Sequence, residues 1–118
     1  MSDKAAAGTR HVPGKVKLTV TVLRFDGKDS SGKPIFVPLE LGTLCVKRPH
    51  RKGFEGPVVL DKAQAEFEGD GRGLHGEWIL QVSGFDVRGG FYEGSMEVLL
   101  EPKQPSASYE FTFHLAPE

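Results

Sequence analysis

Apolar and polar residues alternate one by one through most of this chain, and almost nowhere recur at the three-to-four spacing of a helix. In KVKLTVTVLRF, Val16, Leu18, Val20 and Val22 share one face and Lys17, Thr19 and Thr21 the other, the period of a half-buried strand rich in β-branched residues. The turn formers of DGKDSSGKP end it, because Asp-Gly and Ser-Gly steps favour tight reversals over any helix. In IFVPLELGTLCVK, Ile35, Val37, Leu39 and Leu41 alternate. Pro38 cannot donate to a ladder there and Gly42 invites a bend, which predicts an edge strand or two short strands bent at Gly42.

The same period continues to the end. Ala63, Ala65 and Phe67 face away from Gln64, Glu66 and Glu68, and in EWILQVSGF the residues Trp78, Leu80 and Val82 point inward. A closing hairpin is expected to pair Met96, Val98 and Leu100 with Tyr109, Phe111, Phe113 and Leu115 across EPKQPSAS. LDKAQAEFEG is the one stretch that also reads as a short helix. About seven strands separated by turn signals predict an all-β fold, a single-domain β-sandwich of immunoglobulin-like or prealbumin-like type. Its core anchors would be Trp78, Phe111 and Phe113.

Length changes this picture little: 118 residues fit one domain and are too few for two good cores. Residues 1–14, small, polar and unpatterned, read as a flexible leader, and 15–116 as the sandwich. A formal net charge of −1 gives no long-range field to draw the whole chain to nucleic acid or anionic lipid, so a charge-driven partner would need a local patch. Cys45 is the single cysteine, which excludes an internal disulfide. With no apolar h-region at the start and no apolar run near a membrane span, the expected location is cytoplasmic.

Candidate chemistry is sparse. GDGRG has the glycines of a phosphate loop but no following helix to supply amides, and Ser83 in VSGF lacks the nucleophile elbow of a hydrolase. His11, His50, His75 and His114 are far apart in sequence, and His114 is expected on an outer face with Glu110 and Thr112. Cys45 falls in the inward register counted from Ile35, as a small hydrophobe. The carboxylates of EFEGD, Glu66 and Glu68, read as a solvated face. KRPHRK is the most distinctive charged stretch: Lys47, Arg48, His50, Arg51 and Lys52 form a basic loop suited to an acidic partner, phosphate or lipid headgroup. No aromatic residues interleave with it, as nucleic-acid platforms require.

GEWILQVSGF, FYEGSMEVLLEP and SYEFTFHLAP together resemble the second half of transthyretin-like (prealbumin-like) sandwiches, which include 5-hydroxyisourate hydrolases and carboxypeptidase regulatory-like modules. The resemblance implies the fold. The hydrolase would need His11, His114 and an arginine to converge, and the Tyr-Arg-Gly-Ser tail of that enzyme is not present in HLAPE. A second resemblance, of KLTVTVLRFDGKDSSGKP and DVRGGFYEGSMEVLL to C2 domains, implies a calcium-dependent or phospholipid-binding module with Asp26, Asp29 and Asp86 as calcium ligands. The Ser-Asp-Pro-Tyr segment of that family is absent. The reading that follows from the residues is a noncatalytic module, with no cofactor, that binds a protein partner or forms a homo-oligomer through a strand edge, without nucleic acid or a membrane span.

Overall fold

A computed structural model describes residues 15–70, 76–100 and 106–117. The proposed leader, the histidines His11 and His75, most of GDGRG and the first five residues of EPKQPSAS lie outside the described residues. Eight strands and no helix are present among them: β1 Lys15–Lys28, β2 Pro34–Pro38, β3 Leu41–Lys47, β4 Glu55–Val59, β5 Gln64–Asp70, β6 Gly76–Phe85, β7 Phe91–Leu100 and β8 Ser106–Leu115. The chain is an all-β sandwich of two four-stranded sheets.

Sheet one is organised around β1. Its first half, Lys15–Thr21, pairs antiparallel with β5, and its second half pairs antiparallel with β2 from Leu23 onward. β8 runs parallel to β1 over Lys15–Arg24; since β5 and β2 already occupy one flank, β8 takes the other. Sheet two is wholly antiparallel, in the order β4-β3-β6-β7. The alternation of β1 becomes burial: Val16, Leu18, Val20 and Val22 are fully buried, as are Trp78, Leu80 and Val82 of β6. Ala63, Ala65 and Phe67 line the same core, so LDKAQAEFEG is a turn and a strand. The Phe67 and Trp78 rings meet edge to face at 6.3 Å between centroids, tying one sheet to the other. Phe113 is buried and Phe111 partly so.

Two expectations are corrected. The closing hairpin does not form: β7 pairs with β6 and β8 with β1, and Met96, Val98, Tyr109 and Phe111 have in common only the core against which each is packed. Alternation fixes which face is apolar but not which strand lies alongside. The second concerns IFVPLELGTLCVK: its two short strands form, but the break falls between Pro38 and Leu41, ahead of Gly42, and the strands lie in different sheets. Leu39 is buried, Leu41 is 63 % exposed and Ile35 38 % exposed, and the inward residues of β3 are Leu44 and Val46. When a chain leaves one sheet for the facing one, the side turned to the core reverses. Cys45 therefore lies on the outer face, half-buried. Pro38 sits at the end of β2, an outermost strand of its half-sheet, the position where a missing amide costs least.

The sheet switch needs glycine. Gly42 and Gly84 are partners across β3 and β6. A Cβ on Gly42 would lie 2.8 Å from the Ser83 carbonyl oxygen, and one on Gly84 only 1.9 Å from that of Leu41.

Candidate functional site

Each end of the core is closed by an arginine held in a two-pronged grip by a glutamate. Arg24 continues the inward series of β1 and is buried. It donates from Nε to Glu40 Oε1 at 2.7 Å, from Nη2 to Glu40 Oε2 at 2.8 Å and from Nη1 to Asp26 Oδ1 at 3.0 Å. Eight residues away along β1, about 26 Å at strand spacing, Arg48 donates from Nε and Nη2 to the Glu55 carboxylate. The Arg48 guanidinium also stands 5.9 Å from the Phe67 ring centroid. Paired guanidinium and carboxylate groups of this geometry are strong and directional.

The expected basic loop is thereby divided. Arg48 is committed to Glu55 at the rim of the core. Pro49 is buried, Lys47 is half-buried at the end of β3, and His50, Arg51 and Lys52 are exposed. The Arg51 amide donates to the Arg48 carbonyl at 3.2 Å, and His50 takes a left-handed backbone, φ 64°. Three exposed groups on one turn remain of the five. Glu55, seven residues on, was the available sign: two opposite charges flanking a loop whose ends converge.

The three candidate calcium ligands do not gather, and among the described residues no three His, Cys, Asp or Glu side chains form a group able to hold a metal ion. Asp26 receives Arg24, with Arg88 at 3.8 Å. Asp29 and Asp86 each build a hairpin. Asp29 accepts from the Ser31 amide at 2.8 Å, the Ser31 hydroxyl at 2.7 Å and the Lys33 amide at 3.0 Å. Asp86 accepts from the amides of Arg88 at 2.8 Å and Gly90 at 2.9 Å, and from the Tyr92 hydroxyl at 2.9 Å. Both turns read Asp-x-x-Gly, and both glycines, Gly32 and Gly89, take positive φ, as a three-residue loop ending in a left-handed residue requires. That shared spelling was legible in the sequence as turn chemistry.

These contacts set the acid response. The Arg24 guanidinium holds the Glu40 carboxyl below its ordinary value, and the Gly90 amide, with the Tyr92 hydroxyl and Arg88 amide, does the same for Asp86. A carboxyl depressed in the folded state adds stability that is complete above its unfolded value, near pH 4, and is lost as pH falls through the folded value. Thermal melts are therefore expected to be level from neutrality to about pH 5 and to fall steeply below about pH 4. Glu40→Gln should make that fall shallower.

The two described histidines lie at opposite ends of the sandwich. His114 is on the exposed outer face of β8 with Glu110 and Thr112, and its ring meets Phe36 of β2 edge to face at 4.8 Å. Phe36 meets Phe25 likewise at 6.1 Å. Ser83 stands on the outer face of β6 between Thr43 and Glu93, with neither described histidine beside it. Glu66, on the outer face as expected, pairs with Lys17 at 3.3 Å.

What the arrangement offers is backbone and surface. β8 has a ladder partner on one flank only, among the described residues. The other outer strands carry devices that discourage pairing: Pro34 and Pro38 in β2, Pro57 in β4, Glu66 and Glu68 on the short β5. β7 carries exposed Glu93 and Glu97, and its Tyr92 is bridged to Pro117. Between Ser108 and Leu115, β8 has no proline and one carboxylate, Glu110. Comparison with protein families, with curated proteins and with solved structures finds no match.

Proposed function

We propose that this chain is a noncatalytic β-sandwich module of protein binding and assembly, which joins a second copy of itself through the free edge of β8. The observation that carries the reading is the contrast among edges: among the described residues, ten residues of β8 are paired along one flank only, while every other outer strand is interrupted, short or more heavily charged. An unpaired edge is a row of amides and carbonyls that a further strand can satisfy.

Side-chain pattern selects the register. An antiparallel pair with its two-fold axis at Thr112 sets Glu110 of each copy opposite His114 of the other and keeps the two Glu110 carboxylates about 13 Å apart along the strand. On the inner face the same register sets Phe111 opposite Phe113, extending the core across the seam. An axis at Glu110 would oppose like charges. Sedimentation equilibrium over a wide concentration range tests the reading. A reversible dimer is expected, and Glu110→Lys, which sets a cation against His114, should weaken it about fivefold, equivalent to ~1 kcal/mol. A monomer at every concentration overturns the assembly.

A further inference from the structure

We infer that the outer face of sheet two docks a basic amphipathic helix of a partner protein, an interaction beyond the β8 assembly. At one end of that face an apolar row runs across three strands, Leu41 opposite Phe85 and Phe85 opposite Phe91, with Val59 beside it on β4 opposite Thr43. These side chains are 63 %, 47 %, 37 % and 72 % exposed in that order. Leu41, Val59 and Phe85 wall a shallow cleft of about 330 Å³ over Thr43 and Ser83. The Phe85 and Phe91 rings stack at a tilt, 5.2 Å between centroids.

The rest of the face carries charge, with one further exposed apolar side chain, Leu99 opposite Glu77, at its far end. Glu93 and Glu97 of β7 and Glu77 of β6 are all exposed on this side, and none of them has an ion-pair partner among the described residues. Lys47, beyond Ile79 in the same row as Glu97, is the single opposing cation on these strands. An occupant that fills the cleft and satisfies the carboxylates is apolar on one side and basic along its flank.

Its backbone form follows from where the cleft lies. β3 and β6 are interior strands whose amides and carbonyls are already spent on their neighbours, and β4 at the rim is interrupted by Pro57, so the floor of the cleft offers no ladder to an extended peptide. The occupant must satisfy its own backbone, as a helix does. Glu93 and Glu97 are about 13 Å apart along β7, a span met by basic residues roughly two turns apart on one helix flank. A second copy fits poorly. The exposed apolar area is roughly 400 Å², the size of a recognition patch, against about 800 Å² per partner in a stable dimer. Two such faces together would also bring carboxylates against carboxylates.

The test is fluorescence anisotropy of the full chain with two labelled amphipathic peptides of about 18 residues, one of leucine and lysine and one of leucine and glutamate. The lysine peptide is expected to saturate and to bind at least tenfold tighter at low salt, the gap narrowing as salt rises. Leu41→Asp, at an exposed position, should lower its affinity at least tenfold, and the double variant Glu93→Lys, Glu97→Lys should abolish its preference over the glutamate peptide. Glu110→Lys should leave both peptides unaffected, so this docking and the β8 dimer fail separately. Equal binding of the two peptides, absence of saturation by the lysine peptide, or a self-association that disappears in Leu41→Asp and so makes a second copy the occupant, overturns the inference.

Discussion

Gly84→Ala is expected to destabilise the fold by more than about 3 kcal/mol, read as a large drop in the midpoint of urea unfolding. The added Cβ would stand 1.9 Å from the Leu41 carbonyl oxygen, 2.6 Å from Gly42 Cα and 2.9 Å from Leu39 Cδ2. Two of those three atoms belong to backbone, where no rotamer change makes room. Relief would require β3 and β6 to part at the very place where the chain passes from sheet one to sheet two. Gly53→Ala is the matched control, because a Cβ there meets nothing within 4 Å, and its effect should stay within about 0.5 kcal/mol. Equal effects of the two substitutions would mean that the Gly42–Gly84 approach is not a constraint on the fold.

The second large effect belongs to Trp78. It is fully buried on β6, opposite Val98 in register, and its ring meets Phe67 of the other sheet. Trp78→Ala removes the largest side chain that bridges the layers and leaves a cavity that the rigid ladders on both sides cannot collapse. A loss of about 3–5 kcal/mol is expected. Trp78→Phe, which keeps an aromatic edge for Phe67, should cost about half as much. If the two substitutions proved equal, the aromatic contact between layers would contribute nothing beyond volume.

Arg24 comes next in size. Arg24→Ala strands Glu40 and Asp26 without their cation. The expected loss is roughly 2–3 kcal/mol, below the full penalty of a broken buried pair because both carboxylates reach solvent. Chemical denaturation of this variant beside Glu40→Gln measures it.

How much of this was legible in the sequence differs from residue to residue. Val16 to Val22 and Trp78 to Val82 declare their buried face by simple alternation, since a strand against a core has no other way to arrange its side chains. The same rule misplaced Leu41 and Cys45, because it carries no notice that the chain crosses between Leu39 and Leu41 into the opposite layer, where the core lies on the other side. Gly42 and Gly84 are the physical trace of that crossing, yet their opposition is set by pairing between residues far apart in sequence. The same limit hid the parallel pairing of β8 with β1: alternation in Tyr109 to Leu115 is satisfied equally beside β7 or beside β1.

Of the proposed site residues, the charged ones were misread because partners were not visible. Arg48 belongs to a loop rich in cations, and only Glu55 reveals that its role is to close the core. Asp29 and Asp86 offer oxygen ligands by composition, but the following glycines at fixed spacing make them turn builders. Arg24 was passed over because a charge on the inward series of a strand looks like a strand's end. Its burial is tolerable only because Glu40 arrives from beyond β2 and Asp26 stands two residues on along the same strand.

Cross-linking at the two-fold axis tests the central claim most directly. In a Cys45→Ser background, Thr112→Cys brings two thiols face to face across paired β8 edges, within the Cα separation of about 4.4–6.8 Å that a disulfide spans. Mild oxidation at a concentration below random collision should yield a disulfide dimer, while Glu66→Cys, also exposed but on the other flank of sheet one, stays monomeric. Equal cross-linking of the two variants, or none at Thr112→Cys, would contradict assembly through β8.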